Sequence, residues 1–552
     1  MNTRNRPGRV RSGGSLPRRR PPLPVVGGSG ADSTCAVVAP ARPSPDTAVP
    51  GRPAPTPSLR RACRHPLGNL ADNDRLLTHE REVRGRLAAI PGVLQRLAAE
   101  QHSVDFVEKV QELCRRELGF ELPESLLRGA WIAGLDMRAV YGAAMLATLR
   151  SIAEQVHATG FTNGRDPDET AVSFFLDCGY HAVDISPCSD GRLKGLIRYI
   201  LRLPDEAIRY RNAYAGALFD VEASVGRWIE AELSRFREWR PVGPEAESRY
   251  LKIAVYHWSS SDPLHMGCAA HGSNRRRAAA GALSRLREFR EAIQNRFCCG
   301  ASVDLLLVGV DTDTDAITVH VPDADGELSL HRSIDNMDLY GQTVGDDPNT
   351  AYLKVYEALR VVSEQEGWGS GNGQPTEGMR RLVATLLVNN LSQIDYVCAA
   401  HGGRYADVGH AEHFISVGDG FEEFQLRNIA YYAHLQTLEE GTPDMDVGIR
   451  ILESLNVSRG LPVVVAVHFR YDRRVPGSRD RTIAKCRRVT DAIRARYAEL
   501  ARRGLLVCGM TVQDQAAGSP LEVVDCETAP AARPAAVDDT SGRICVDEGG
   551  KP

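Results

Sequence analysis

The chain has 552 residues, which is too long for one ordinary domain and predicts two or three. Its 43% of hydrophobic and 25% of charged residues are typical of a soluble globular protein. A formal net charge of −4 is too small to indicate nucleic acid or a membrane surface as the main partner, and no stretch approaches the roughly 20 apolar residues of a membrane span.

The N-terminal segment differs in composition from the rest of the chain. "MNTRNRPGRVRSGGSLPRRRPPLPVVGGSG" is rich in Arg, Pro and Gly, and the first acidic residue of the chain is Asp32. Such a segment cannot bury a core, so the sequence predicts a disordered basic tail that either binds an acidic partner or is inert. From about Asp72 to Gly134, apolar residues at three- and four-residue spacing predict a small all-helical domain.

From about Ala171 the pattern changes to mixed α/β. "RYLKIAVYHW" and "SVDLLLVGV" are short apolar runs typical of buried strands, and the strongly helical "RRRAAAGALSRLREFREAIQNRF" lies between them. Strand, helix and strand in this order favour a largely parallel sheet.

A second α/β block begins near Gly402 and weakly repeats the first. "LPVVVAVHFRYD" (461–472) echoes "YLKIAVYHWSSSD" (250–262), with an apolar strand, a His, an aromatic residue and an Asp. Upstream, "HFISVGDGF" faintly echoes "HAVDISPCSDGR" but has no cysteine. These matches indicate a duplicated domain whose second copy lost its metal ligands, although chance similarity between strand–loop units explains them about equally well.

One cysteine stands in a motif that suggests chemistry. The 13 cysteines are scattered, without the even spacing of a secreted disulfide scaffold, so we expect an intracellular protein whose cysteines are mostly core residues. In "DISPCSDGRLKGL", however, Cys188, Asp190 and Arg192 occupy every second position on a turn flanked by Pro and Gly. A thiolate binds a soft metal and an Arg-paired carboxylate stays ionised, so the motif indicates a metal site that activates water.

Further ligands for a metal follow the next predicted strand, in "YHWSSSDPLHMGCAAHGSN". This stretch contains His257, His265, Cys268 and His271, at a strand's C-terminal end, where open α/β sheets place their sites. One His and one Cys from it would complete a Cys₂His zinc set with a fourth position for water. The residues alone leave His257 open as a hydrogen-bonded core residue, and His265 or His271 as exposed side chains.

The motifs together resemble a known family. C-x-D-x-R followed by a His and Cys pair is similar to the signature of beta-class carbonic anhydrases. The longer stretches "FFLDCGYHAVDISPCSDGRLKGL", "YLKIAVYHWSSSDPLHMGCAAHGSN", "GVDTDTDAI" and "NNLSQIDYV" resemble a divergent group, the carboxysome shell carbonic anhydrases, once called the epsilon class. This resemblance runs from about Cys63 to Pro520.

The resemblance implies an architecture of α/β class with an N-terminal all-helical domain. A zinc-bearing domain similar to beta-class carbonic anhydrases and a degenerate second copy would form a pseudo-dimer. The expected segments are a disordered basic tail (1–62), a helical domain (63–165), a catalytic α/β domain (166–402), a degenerate α/β domain without metal (403–520) and a flexible tail (521–552).

The resemblance also implies one Zn²⁺ per chain, bound by Cys188, His257 and Cys268. Ordinary beta-class enzymes use H-x-x-C, which would select His265 instead. The carboxysomal group takes its His from the strand end, eleven positions before the Cys (268 − 257 = 11). We therefore expect His257 as the ligand and keep His265 as the alternative.

The implied reaction is the reversible hydration of CO₂ to bicarbonate by a zinc-bound hydroxide, which supplies CO₂ to Rubisco inside the carboxysome. Asp190 would accept a hydrogen bond from that hydroxide, and Arg192 would hold Asp190 away from the metal. His410, in "GHAEHF", is a candidate relay or substrate contact.

The expected location is the inner side of the carboxysome shell, with a homo-oligomer that binds neither nucleic acid nor membrane. Its basic tail would bind the shell or Rubisco. Two alternatives are a non-catalytic shell or assembly protein with a structural zinc, which a fourth ligand such as His271 would favour, and an adaptor with a vestigial enzyme body. Intact Asp190 and Arg192 argue against both, because a structural zinc needs neither.

Overall fold

The computed structural model describes residues 64–525, with internal gaps. The gaps are residues 129, 131–133, 160–173, 204–207, 238–248, 298–302, 323–326, 366–376, 420, 422–423, 434–437 and 516–518. The predicted basic tail (1–62) and most of the predicted C-terminal tail (521–552) lie outside the described residues.

The N-terminal region is helical, as predicted, and it extends beyond Gly134. Its helices are α1 (Leu70–Ala99), α2 (Phe106–Leu118), α3 (Glu124–Leu127) and α4 (Met137–Thr159). The side-chain oxygen of Asn69 caps α1 by accepting a hydrogen bond from the amide of Asp72 at 3.2 Å. Gly119 ends α2 with a left-handed φ of 75°, a conformation that glycine adopts without strain.

Two charged residues of α1 join this region to the rest of the fold. Arg84 Nη2 donates a hydrogen bond to the carbonyl of Arg427 at 2.7 Å, and Arg84 Nε pairs with Glu80 Oε1 at 2.7 Å. Glu80 is buried and accepts a hydrogen bond from the hydroxyl of Tyr396. The α1 helix is therefore held by polar contacts as well as by its apolar face.

The first sheet has six strands in the order β2-β1-β3-β4-β5-β6. β1 to β4 pair in parallel, and β5 and β6 are antiparallel to their neighbours. The predicted strand–helix–strand unit is confirmed, because α6 connects the parallel strands β3 and β4. The elements are β1 (Tyr180–Pro187), β2 (Tyr210–Arg211), α5 (Val221–Arg237), β3 (Arg249–Trp258), α6 (Arg275–Phe297), β4 (Val303–Asp311), β5 (Ile317–Pro322), β6 (Leu328–Asp335), α7 (Asn336–Thr343), α8 (Pro348–Gln365) and α9 (Glu377–His401).

The second sheet has five strands in the order β11-β10-β9-β7-β8. Its elements are β7 (Phe414–Gly418), β8 (Ala430–Ala433), α10 (Leu438–Leu455), β9 (Val463–Tyr471), α11 (Ser478–Arg496), α12 (Ala498–Arg502), β10 (Leu506–Asp514) and β11 (Glu522–Asp525). β11 falls within the predicted flexible tail (521–552), but its backbone pairs antiparallel with β10 and forms the edge of the sheet.

The two sheets share a strand order. Read from one edge, the first runs β2-β1-β3-β4-β5 and the second runs β8-β7-β9-β10-β11. In each, four strands are parallel and the fifth is antiparallel. The same sequence of crossovers therefore occurs twice along the chain.

The buried cores explain how the helices are distributed. The N-terminal helices share one apolar cluster with Phe414, Val464 and Ala466 of the second sheet. The opposite face of that sheet packs against α10 and α11. The α9 helix is long and apolar enough by composition to cross a membrane, but 72% of its most apolar window is buried inside the protein, so it is a core helix.

Candidate metal centre

Two neighbouring strand ends bring the predicted ligands together. Cys188 follows β1, and its amide donates a hydrogen bond to the carbonyl of Val255 on β3 at 3.0 Å. His257 is the penultimate residue of β3, and Cys268 lies in the loop between β3 and α6. Because β1 and β3 are parallel neighbours, their carboxyl ends and the loops that follow meet at one edge of the sheet.

The three side chains form a compact buried cluster. Their ligand atoms all lie within 4.8 Å of one another, and the two sulfurs of Cys188 and Cys268 are 3.9 Å apart. The exposed fractions are 6% for Cys188, 1% for His257 and 3% for Cys268. A set of two thiols and one imidazole with this spacing suits Zn²⁺ and leaves a fourth position for water.

The hydrogen bonding of the cluster supports a cation there. Both ring nitrogens of His257 are buried and make no hydrogen bond among the described residues, and the nearest carboxylate oxygen, Asp190 Oδ2, is 3.4 Å from Nε2. A buried polar group without a partner is costly, and coordination would satisfy it. The Cys268 sulfur and burial raise the pKa of the Cys188 thiol well above its ordinary value, whereas the Cys188 contact lowers that of Cys268. The pair therefore holds a proton that a cation would displace.

Beside this cluster lies a carboxylate fixed by an arginine. Arg192 donates from Nε to Asp190 Oδ1 at 2.9 Å and from Nη2 to Asp190 Oδ2 at 2.7 Å. Burial alone would raise the pKa of Asp190, but the Arg192 guanidinium outweighs it and holds the pKa well below the ordinary value. Asp190 Oδ2 lies 3.4 Å from His257 Nε2, so the ionised carboxylate faces the cluster.

The second half of the chain helps to fix Arg192. Its Nη1 donates to the carbonyl of Val408 at 2.9 Å and also to the carbonyl of Met266, in the loop that carries Cys268. The side chain is 1% exposed. Three separate segments therefore set the position of one guanidinium.

His410 lies beside the dyad. Its ring, Asp190 and Glu412 have ligand atoms within 4.8 Å of one another, and His410 Nδ1 is 2.9 Å from Glu412 Oε1. His410 was predicted from the sequence, whereas Glu412, two positions further on, was not. Nothing in the local pattern separates this Glu from a surface carboxylate, because the turn of Asp190 and Gly191 against which it packs lies over 200 positions away in the sequence.

The two remaining histidines of the predicted loop stay outside the cluster. The side chain of His265 is 73% exposed, and its Nδ1 is 2.8 Å from Asp262 Oδ1. His271 Nε2 is 3.1 Å from the carbonyl of Gly216. The described residues therefore place neither the alternative ligand nor the fourth ligand of the structural-zinc alternative at this centre.

A pocket opens beside Cys188 and Asp190. Its lining combines apolar side chains from both halves of the chain with polar and charged ones: Leu193, Leu196, Ile197 and Phe421 beside Lys194, Arg211 and Asp419. The apolar part of this lining suits a small apolar molecule.

Comparison with known proteins covers most of the chain. Family models match residues 65–157 (carboxysome shell carbonic anhydrase, N-terminal), 170–410 (catalytic domain) and 411–528 (C-terminal). A carboxysome shell carbonic anhydrase of Halothiobacillus neapolitanus is 50% identical over 483 residues, which are 87% of this chain and 94% of the relative. Proteins of the same name from Parasynechococcus marenigrum and Prochlorococcus marinus MIT 9313 are 48% and 45% identical, covering 84% and 88% of this chain and 79% and 95% of their own.

Proposed function

The chain belongs to the carboxysome shell carbonic anhydrase family, and from that premise we propose that it interconverts CO₂ and bicarbonate at the cluster of Cys188, His257 and Cys268. The observation that carries this proposal is the buried Cys₂His set with an Arg-paired carboxylate 3.4 Å from its imidazole. A purely structural metal would need the ligands but not the dyad.

The side chains have separate roles in this reaction. Cys188, His257 and Cys268 would hold Zn²⁺, which when bound lowers the pKa of a water ligand toward about 7. Asp190 would accept a hydrogen bond from the attacking oxygen and direct its lone pair toward CO₂. Arg192 keeps Asp190 from becoming a ligand itself, because its fork occupies both carboxylate oxygens.

We also propose that the second sheet is a degenerate copy of the first, so that the chain is a fused pseudo-dimer. The shared strand order supports this, as does the contribution of Val408 and Glu412 to a site built mainly on the first sheet. The expected divisions near residues 166, 403 and 520 belong to this proposal.

The carboxysomal setting gives the reaction a direction. Inside the carboxysome, bicarbonate must become CO₂ beside the carboxylase, so we propose dehydration as the working direction and the inner face of the shell as the location. The partner of the basic tail would be Rubisco or the shell, and we propose that the chain works as a homo-oligomer.

Stopped-flow CO₂ hydration with zinc analysis of the same purified sample tests the function. We expect near-stoichiometric zinc and turnover that is lost on chelation and restored by Zn²⁺. Stoichiometric zinc without turnover would support the non-catalytic shell protein instead. Absence of both would refute the metal centre.

A further inference from the structure

Glu412 is a buried carboxylate whose contacts lie at the candidate site. Its residue is 2% exposed, and Oε1 lies 2.9 Å from His410 Nδ1 while Oε2 is buried without a partner among the described residues. An ionised carboxylate only accepts hydrogen bonds, so it fixes His410 with the proton on Nδ1. The Nε2 atom of His410 is then free to accept a proton.

The backbone beside the dyad makes room for this carboxylate. Gly191 separates Asp190 from Arg192, and a Cβ at Gly191 would clash with Glu412 Oε1. The amide of Asn428 holds the same peptide by donating to the Gly191 carbonyl at 2.9 Å. Glu412 therefore packs directly against the turn that carries the catalytic carboxylate.

His410 lies between the buried dyad and solvent. Its side chain is 27% exposed, whereas that of Glu412 is fully buried. The charged groups that face it are Asp190, Glu412 and Arg192. Burial alone would lower the pKa of His410, but Asp190 and the Glu412 hydrogen bond outweigh burial and raise it above the ordinary value.

We propose that Glu412 is a positioning residue for His410, and that the pair carries the product proton from the Asp190 side of the site to solvent. This inference rests on the proposed function. Hydration of CO₂ by one water yields bicarbonate and one proton. His410 Nε2 accepts that proton while Nδ1–H stays bonded to Glu412, and Nε2 then releases it to buffer. Glu412 neither gains nor loses a proton.

The kinetic test uses Glu412→Gln and His410→Ala in the full zinc-loaded chain. Proton export follows bicarbonate release, so it limits kcat but does not enter kcat/KM for CO₂. We expect each variant to lower kcat about 10- to 100-fold, the usual effect of losing an orienting partner, with kcat/KM within twofold. Imidazole buffer should restore kcat in His410→Ala, and the double variant should be no slower than the slower single one.

A second carboxylate–histidine pair provides a matched control. Asp262 and His265 are joined at the same kind of distance, 2.8 Å, but on the exposed loop surface. We expect Asp262→Asn to leave kcat unchanged. If Glu412→Gln leaves kcat unchanged as well, or lowers kcat and kcat/KM together, the relay is wrong.

NMR titration of the His410 ring gives a readout that does not depend on turnover. Removal of the Glu412 charge should lower the pKa of His410 and change its tautomer, while Asp262→Asn should change neither. An unchanged His410 titration in Glu412→Gln would overturn the positioning role. A wild-type protein without turnover would refute the proposed function, whereas an active wild type with indifferent variants would refute only this inference.

Discussion

The two sheets end similarly at one edge but carry different chemistry there. In the first, the Cys188 amide donates to the neighbouring strand at 3.0 Å, and His257 lies two residues beyond the acceptor. In the second, the Asp419 amide makes the equivalent bond at 2.8 Å, and Arg470 lies two residues beyond the acceptor. A thiol and an imidazole in one sheet thus correspond in position to a carboxylate and a guanidinium in the other.

The loops that follow enlarge this difference. The first sheet has residues 259–274 between β3 and α6, and this loop supplies Cys268, whereas residues 472–477 suffice between β9 and α11. The Arg470 amide donates to Asp419 Oδ2 at 2.6 Å, so the two residues at the second edge bond to each other. The proposed metal centre therefore depends on the long loop as well as on residues at two strand ends.

The largest expected effect comes from removing one ligand. Cys188→Ala should abolish both zinc binding and CO₂ hydration with the fold intact, because three protein ligands become two. Zinc analysis, stopped-flow hydration and circular dichroism measure these properties. Cys508→Ala, at a buried cysteine of the second sheet, is the matched control and should keep both. Stoichiometric zinc and near-normal turnover in Cys188→Ala would contradict the ligand assignment.

The next effect separates the dyad from the ligands. Arg192→Ala should retain zinc but lose at least about 10²-fold in rate, the scale for one preorganised polar group. The freed Asp190 should then bind the metal, which X-ray absorption would detect as an added oxygen ligand. Arg192→Lys should restore little, because an ammonium cannot grip both carboxylate oxygens. An open site with undiminished turnover in Arg192→Ala would rule out this role.

A smaller effect concerns the joint between the two halves. Asp444 of α10 accepts hydrogen bonds from the amide of Ala215 at 2.7 Å and from Ser189 Oγ at 3.3 Å, and burial raises its pKa to about 6. The folded state thus holds this proton more tightly than the unfolded state, so stability falls as pH rises from about 4 through 6.

We expect Asp444→Asn to relieve this cost above pH 6 by up to about 3 kcal/mol, less any hydrogen bonding that is lost. Its melting temperature should rise by a few degrees at pH 8 and change little at pH 4. Asp446→Asn is the control on the same helix, because the hydrogen bond from Arg496 lowers the pKa of Asp446 and its loss should not stabilise the protein. A lower melting temperature of Asp444→Asn at pH 8 would contradict the sign.

A double variant tests whether residues at two strand ends are enough to bind a metal. The double variant Asp419→Cys with Arg470→His gives the second edge the residue types of the first at two positions. We expect zinc to remain at one equivalent per chain, because the short loop has no Cys or His and its one carboxylate, Asp472, is paired with Arg474 at 2.8 Å. A second tightly bound equivalent would show that strand ends alone suffice.

Turnover should change least when the basic tail is removed. Deletion of residues 2–60 should leave zinc and kcat intact but weaken capture by Rubisco or shell proteins in a binding assay. The lost binding should be salt-sensitive, since exposed charges are screened over about 8 Å at physiological ionic strength. Equal packaging of the truncated chain would transfer that role to the helical region.

The sequence predicted correctly those features that a short local pattern of residues determines. Apolar runs predicted β3 and β4, and the alternating positions of Cys188, Asp190 and Arg192 indicated both a ligand and the dyad. The residues left His257 and His265 open, because a short range of sequence does not reveal which one ends the strand and which one is exposed. Burial of His257 beside Asp190 separates them.

Contacts between residues far apart along the chain could not be predicted from the sequence. The Val408 carbonyl is a backbone group with no residue signature, and Glu412 and Asp444 lie more than 200 positions from the turn they contact. The echo between the two blocks also aligned His257 with His468, whereas the strand ends align His257 with Arg470. Backbone register decides that alignment, and sequence similarity alone cannot supply it.

The link from Arg84 to the Arg427 carbonyl limits how far this enzyme could be miniaturised. Arg427 in turn donates to the carbonyls of Thr312 and Asp407. Thr312 and the residue after Asp407, Val408, accept hydrogen bonds from Arg192, so α1 supports the segments that hold this guanidinium. A chain without the N-terminal helices would also expose Tyr396 and the apolar face of the second sheet that those helices cover. Anyone building a smaller anhydrase for a synthetic organelle would have to redesign the surface that these helices contact, because deleting the helices alone would leave it uncovered.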